Sequence, residues 1–242
     1  MTPAAPFWQE FEQPTPDAGP WRDSFPAPMP DGLRLRLPLR DMGSFAVAGL
    51  IVNQASVRVM RRLAAWTTDA ASDLGAEVVV GLPSLGQVFA PWVAERLGHR
   101  NWVAPGWSRK RWYDTALSVP VSSITSPEER RLWLDPRLLP RLEGKRVLLV
   151  DDVISTGRSA QAGLAMLAAA GVRPVALLVT MAQGDRWRVP PAAGGTAPWP
   201  ADIPVRAAFA TPIFRPAAGG WSPLAGTRAL DCCPHFSLDP PA

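Results

Sequence analysis

VLLVDDVISTGRS, Val147 to Ser159, joins four apolar residues to two consecutive aspartates and then to a short Ser-Thr-Gly-Arg-Ser turn that opens into a helix-like segment. An uninterrupted apolar run is the pattern of a strand buried on both faces, so Asp151 and Asp152 are expected to project from its carboxyl end. In open α/β sheets that edge is where ligands bind. The turn adds backbone N–H groups, the hydroxyls of Ser155, Thr156 and Ser159, and a helix N-terminus, a set suited to a phosphate monoester. Carboxylates beside such a cradle imply a ligand that carries both hydroxyls and phosphate.

Working outward, the flanking segments alternate between strand and helix patterns. Val59, Leu63, Trp66, Ala70 and Leu74 recur every three or four residues and predict a helix ending near Gly75. Ala76 to Pro83 (AEVVVGLP) reads as a buried strand and turn, Gly86 to Leu97 as the next helix, and Asn101 to Val103 as a short strand. A helix from about Ser159 to Ala170, stopped by Gly171, and a strand from Pro174 to Met181 complete two successive strand-helix units. Such alternation predicts an α/β fold with a doubly wound, mostly parallel sheet. Upstream, Leu33, Leu35 and Leu37 alternate with Arg34 and Arg36, the pattern of a half-exposed strand.

The two ends read differently. The chain has 242 residues, 28 of them prolines, and these crowd towards the termini. Residues 1–31 lack any period and are expected to form an extended arm or disordered tail, with the α/β core in 32–186 and an irregular extension in 187–242. The segment Ser108 to Ser126 is polar and carries the basic-aromatic cluster SRKRWYD, the profile of a functional loop. The formal charge of +4 comes almost wholly from arginine, since Lys110 and Lys145 are the only lysines. That mild positive field favours anionic small molecules and falls short of a nucleic-acid-binding patch. The adjacent Cys232 and Cys233 suit neither a structural disulfide nor a zinc site. No signal peptide and no membrane span is read, so the expected setting is the reducing cytoplasm.

With these residues in place, the central motif resembles the phosphoribosyl-pyrophosphate (PRPP) motif of the type I phosphoribosyltransferases. The resemblance spans about Ala76 to Gly184. It implies that Asp151 and Asp152 hold the ribose hydroxyls, while Val153, Ser155, Thr156, Gly157, Arg158 and Ser159 wrap the 5′-phosphate; Arg158 could equally face solvent. It further implies that Pro83, Ser84, Leu85 and Gly86 contact the departing pyrophosphate, although Gly81 and Gly86 could simply allow a tight strand-helix connection. Arg109, Lys110 and Tyr113 fall where the family has a loop that closes over the site, with Lys110 meeting the leaving group. The alternative is a basic loop whose aromatic residues only pack.

The same resemblance implies Mg²⁺ as the cofactor, held mainly by substrate and water, with Asp151 or Asp152 as candidates to reach it through water. It implies a homodimer by analogy. Ser155 occupies the position where the hypoxanthine-guanine branch carries an aspartate, which argues against that branch. Trp187, Phe209 and Phe214 could stack on a base or be packing residues. His99 and His235 have no partner pattern and are taken as non-catalytic. The expected activity is transfer of a phosphoribosyl group from PRPP to a nitrogenous, purine-like base in nucleotide salvage; the rival is a PRPP-sensing regulator that has lost its chemistry.

Overall fold

The structure is a computed structural model and describes residues 9–14, 19–121, 130–189 and 197–236. In chain order the first strands are β1 (Phe11–Glu12), β2 (Ser24–Pro28), β3 (Arg34–Asp41) and β4 (Ala46–Ala48), followed by α1 (Val57–Asp69), β5 (Val78–Gly81) and α2 (Gly86–Arg96). Then come the hairpin strands β6 (Ser118–Val121) and β7 (Arg130–Trp133), the short α3 (Leu139–Leu142), and β8 (Val147–Ile154). The chain continues through α4 (Arg158–Ala169), β9 (Ala176–Gln183), β10 (Val205–Thr211), β11 (Ile213–Ala217) and β12 (Gly220–Pro223).

A four-stranded parallel sheet in the order β10-β9-β8-β5 forms the centre. Its residues alternate between two apolar layers. Val79, Leu148, Val150 and Leu178 pack beneath α1 and α2, and Val80, Leu149, Leu177 and Val179 pack beneath α4. Helices on both faces make the sheet doubly wound, as the apolar runs require, because each strand must be covered twice. Ser56 starts α1 by accepting a hydrogen bond from the Val59 N–H at 3.2 Å.

β8 extends beyond the apolar run that predicts it. It pairs with β5 only as far as Val150, opposite Gly81, but stays paired with β9 through Ile154. Asp151 and Asp152 therefore lie within the strand, on the flank that β5 has vacated.

The ends of the chain are more regular than their proline content suggests. Within the segment expected to be an arm, β2 pairs antiparallel with β3, placing Phe25 opposite Leu37 and Ala27 opposite Leu35, and all four side chains are buried. β2 is paired to β3 alone, so Pro26 and Pro28 sit on an edge strand, where a missing N–H costs no ladder bond. In the segment expected to be irregular, β10 is the fourth strand of the central sheet and is almost wholly buried. β11 then leaves that sheet and pairs with β4. An antiparallel lobe of β1, β3, β4, β11 and β12, with β2 on β3, is thereby mounted at the carboxyl ends of β9 and β10. Residues 190–196, part of the proline-rich stretch expected to be irregular, lie outside the described residues. Among the described residues no helix is long and apolar enough to cross a membrane.

Candidate active site

A cavity of about 650 Å³ lies between the carboxyl edge of the central sheet and the antiparallel lobe. Asp152, Ser155 and Thr156 form one wall, while Val47, Leu50 and Ile51 form the other. Gln183 and Arg186 complete it from the end of β9. One side is thus acidic and polar and the other mainly apolar, with Arg40 of β3 among its residues, a division suited to a ligand with a sugar phosphate at one end and a flat, largely apolar body at the other.

The two aspartates have unequal places in it. Asp151 is buried and faces inward, with Oδ1 accepting the Asp152 N–H at 2.9 Å and its carboxylate receiving a backbone hydrogen bond from Gly86. Burial pushes its carboxyl well above the ordinary carboxylate range, and the negative charge of Asp152 adds to that push. Asp152 is half-buried and reaches the cavity; burial raises its carboxyl too, against a side-chain hydrogen bond with Asp151 that lowers it. The acid most available to a ligand is therefore Asp152, with Asp151 behind it.

The turn from Pro83 to Gly86 abuts this pair. The Leu82 N–H donates to the Val150 carbonyl at 2.8 Å, and the Pro83–Ser84 peptide is cis. A Cβ on Gly86 would stand 2.6 Å from the Val150 carbonyl oxygen and 2.8 Å from the Asp151 Cα. Only glycine lets α2 begin this close to β8. Ser84 is exposed, and Pro83 and Leu85 are half-buried.

The loop after β8 curls around a small concavity of about 90 Å³ lined by Val153 to Ala160. Gly157 has φ of +81° at the start of α4, and the first N–H groups of that helix have no intrahelical acceptor. Thr156 and Ser159 are exposed, and Arg158 is half-buried. The Ser155 hydroxyl is already occupied: it donates to Gln183 Oε1 at 2.5 Å and accepts from Arg186 at 2.6 Å. Gln183 in turn donates to the Ala48 carbonyl at 2.6 Å, tying the loop to the antiparallel lobe.

Arg109, Lys110 and Tyr113 are not brought to this cavity. Arg109 and Lys110 are exposed, and the Arg109 guanidinium lies 5.5 Å from the Trp133 ring centroid. Tyr113 packs against Trp112 and Trp133, and burial raises its hydroxyl pKa, with the Asp135 charge adding to the effect. The root of the loop is nonetheless close to the acids, because the Gln87 side-chain amide at the start of α2 donates to the Pro105 carbonyl at 2.5 Å. The aromatic candidates for base stacking prove to be core: Phe209 and Phe214 are fully buried, and Trp187 packs beneath Gly157 with its indole N–H on the Gly184 carbonyl. Residues 122–129 of the polar loop lie outside the described residues.

The sequence reading missed Gln183 and Arg186, although the rule that selected Asp151 and Asp152, polar residues at the carboxyl end of an apolar strand, applies equally to them. The apolar wall carried no such signal. Val47, Leu50 and Ile51 come from a lobe whose proximity to β8 is set by tertiary packing.

Acids and a glycine-started helix meet at the carboxyl edge of a parallel α/β sheet, the edge at which open sheets of this class receive ligands. The family model for the phosphoribosyl transferase domain matches residues 50–194, and the chain belongs to that family. It is 34% identical over 119 residues to an adenine phosphoribosyltransferase of Frankia casuarinae, covering 47% of this chain and 57% of the relative. The match thus spans somewhat more than half of that relative's length. A second adenine phosphoribosyltransferase, from Streptomyces coelicolor, is 28% identical over 176 residues, or 65% of this chain and 87% of the relative. The crystal structure of adenine phosphoribosyltransferase from Rhodothermus marinus aligns with a TM-score of 0.48 at 21% identity, over 64% of this chain and 81% of that one.

Proposed function

We propose that the chain binds PRPP and transfers its phosphoribosyl group to a purine base, releasing pyrophosphate in a salvage reaction. The observation that carries this reading is the cavity itself, in which Asp152 and the loop after β8 face an apolar wall across a space of about 650 Å³. The names of the Frankia and Streptomyces relatives support adenine as the first base to try.

In this reading the 5′-phosphate is received by the concavity from Val153 to Ala160, where Gly157 turns the chain so that the N–H groups opening α4 face the anion. Asp152 accepts from the ribose hydroxyls. Asp151 orients Asp152 and the Gly86 turn. Val47, Leu50 and Ile51 cover one face of the base and exclude water from the carbon where the bond forms. Ser84 and the exposed Lys110 then serve the pyrophosphate side.

Bond-making and bond-breaking at the anomeric carbon pass through an oxocarbenium-like state. The burden on the protein is to hold the ribose carboxylate-side down and the base nitrogen in line, and positioning of this kind supplies much of the rate. Among the described residues no group of three or more His, Cys, Asp or Glu could cage a metal ion. The donor set at the cavity, Asp152 with Asp151 behind it, fits Mg²⁺ held largely by substrate oxygens and water. Such an ion would supply charge neutralisation on the pyrophosphate.

The test is direct: purified chain, PRPP, MgCl₂ and adenine are incubated and AMP and pyrophosphate are measured together. Equimolar formation of both supports the assignment. Tight PRPP binding without product from any purine or pyrimidine base would convert it to a PRPP sensor.

A further inference from the structure

Arg186 is a cation in the cavity that makes no ion pair among the described residues. It lies three residues beyond the end of β9 and is half-buried. One terminal nitrogen donates to Ser155 Oγ at 2.6 Å, and the guanidinium lies 5.0 Å from the centroid of the Phe45 ring. Its Nε is buried and has no acceptor, and none of the described ion pairs includes it. Burial pulls its pKa down, opposed only by the charge of Asp185.

The side chain is also held in place. The Ser155 hydroxyl that receives Arg186 is fixed from its other side by Gln183, and Gln183 is buried and anchored on the Ala48 carbonyl. A buried donor left unpaired costs free energy, as does a half-dehydrated cation that no carboxylate contacts directly. A fixed arginine that bears both costs at the edge of a ligand-sized cavity is arranged for something that arrives.

We propose that Arg186 reads the acceptor base, its guanidinium donating to a ring nitrogen or oxo oxygen on the edge of a planar heterocycle seated against Val47, Leu50 and Ile51. This rests on the function proposed above and adds a residue to it. Arg186 lines the larger chamber with the apolar wall and not the concavity formed by Val153 to Ala160, while its partner Ser155 borders both, so the base and the phosphate are separated by the experiment below. Phe45 under the guanidinium favours a flat presentation of the fork, which suits in-plane donation to a heterocycle.

The experiment compares two ligands that share the ribose phosphate and differ in the base. AMP and ribose 5-phosphate are titrated calorimetrically into the native chain and into Arg186→Met, with circular dichroism to confirm the fold. AMP affinity is expected to fall roughly ten- to a hundredfold, the effect of losing a charged hydrogen bond, while ribose 5-phosphate affinity stays within about twofold. Unchanged AMP affinity would overturn the proposal, and so would an equal loss for both ligands, which would make Arg186 a phosphate contact. Should Arg186→Met not fold, Arg186→Gln keeps a donor for Ser155 and gives the same comparison. If the native chain binds neither ligand, the nucleotide-site reading itself fails and takes this inference with it; if it binds both, the function stands and Arg186 is judged on the ratio alone.

Discussion

Asp151 and Asp152 are neighbours in the chain with different electrostatic work. Asp151 takes up a proton more readily in the folded chain than in the unfolded one, because burial and the Asp152 charge raise it from an ordinary value near 3.8. A raised carboxyl contributes stability below its unfolded value, and that contribution is lost as pH rises through the raised folded value. Asp151→Asn removes the loss, so the variant should gain on the native chain between pH 4 and pH 8, measured as urea midpoints at both pH values. A difference that does not move with pH would show that Asp151 is not strained by its charge. At this scale the sequence was informative where chemistry is local: the acid pair and Gly157 could be read from their neighbours, because strand end and turn dictate their place. The occupation of Ser155 by Gln183 and Arg186 could not, since those partners lie 28 and 31 residues away.

Between elements, the closest fit is at the start of α2 against β8. Gly86→Ala would press a methyl group onto the Val150 carbonyl and the Asp151 Cα, both backbone and unable to move aside. Overpacking of this kind costs about 1–3 kcal/mol, on the order of 2–10 °C in Tm for a domain of this size. Thermal unfolding checks it, and an unchanged Tm would mean that α2 starts elsewhere. The loop from Ser108 to Tyr113 is held by Trp133 on one side and by Gln87 at its root. If its role is to carry charge to the leaving group, Lys110→Ala should slow single-turnover product formation at least tenfold and leave PRPP affinity within about twofold. Equal rates would remove Lys110 from the reaction. Central strands and helices were legible from apolar runs and capping residues, whereas β2 was not: its prolines read as a break until β3 is seen to offer it an edge.

Across the whole molecule the cleft lies between the parallel sheet and the antiparallel lobe, and the N-terminal strand β2 is part of that lobe's core. Phe25, Ala27 and Met29 are buried in the layer that also contains Leu35, Leu37 and Phe214. A chain lacking residues 1–30 should lose more than about 3 kcal/mol, the cost of deleting one buried aromatic side chain, and chemical denaturation would show it; unchanged stability would return the segment to the status of a tail. Of the lobe, β3 was legible from the alternation of Leu35 and Leu37 with arginines, but its assembly was not, because its strands come from both ends of the chain and meet only on folding, as in the pairing of β4 with β11. The doubly wound centre needed no such long-range knowledge.

The central claim is that Asp152 meets the sugar of a phosphoribosyl ligand in the cleft between sheet and lobe. Titrating PRPP with MgCl₂ into Asp152→Asn and into the native chain tests it most directly. Affinity at least tenfold weaker in the variant, with Tm unchanged within about 2 °C, is the predicted result; equal affinity in the two chains would contradict it.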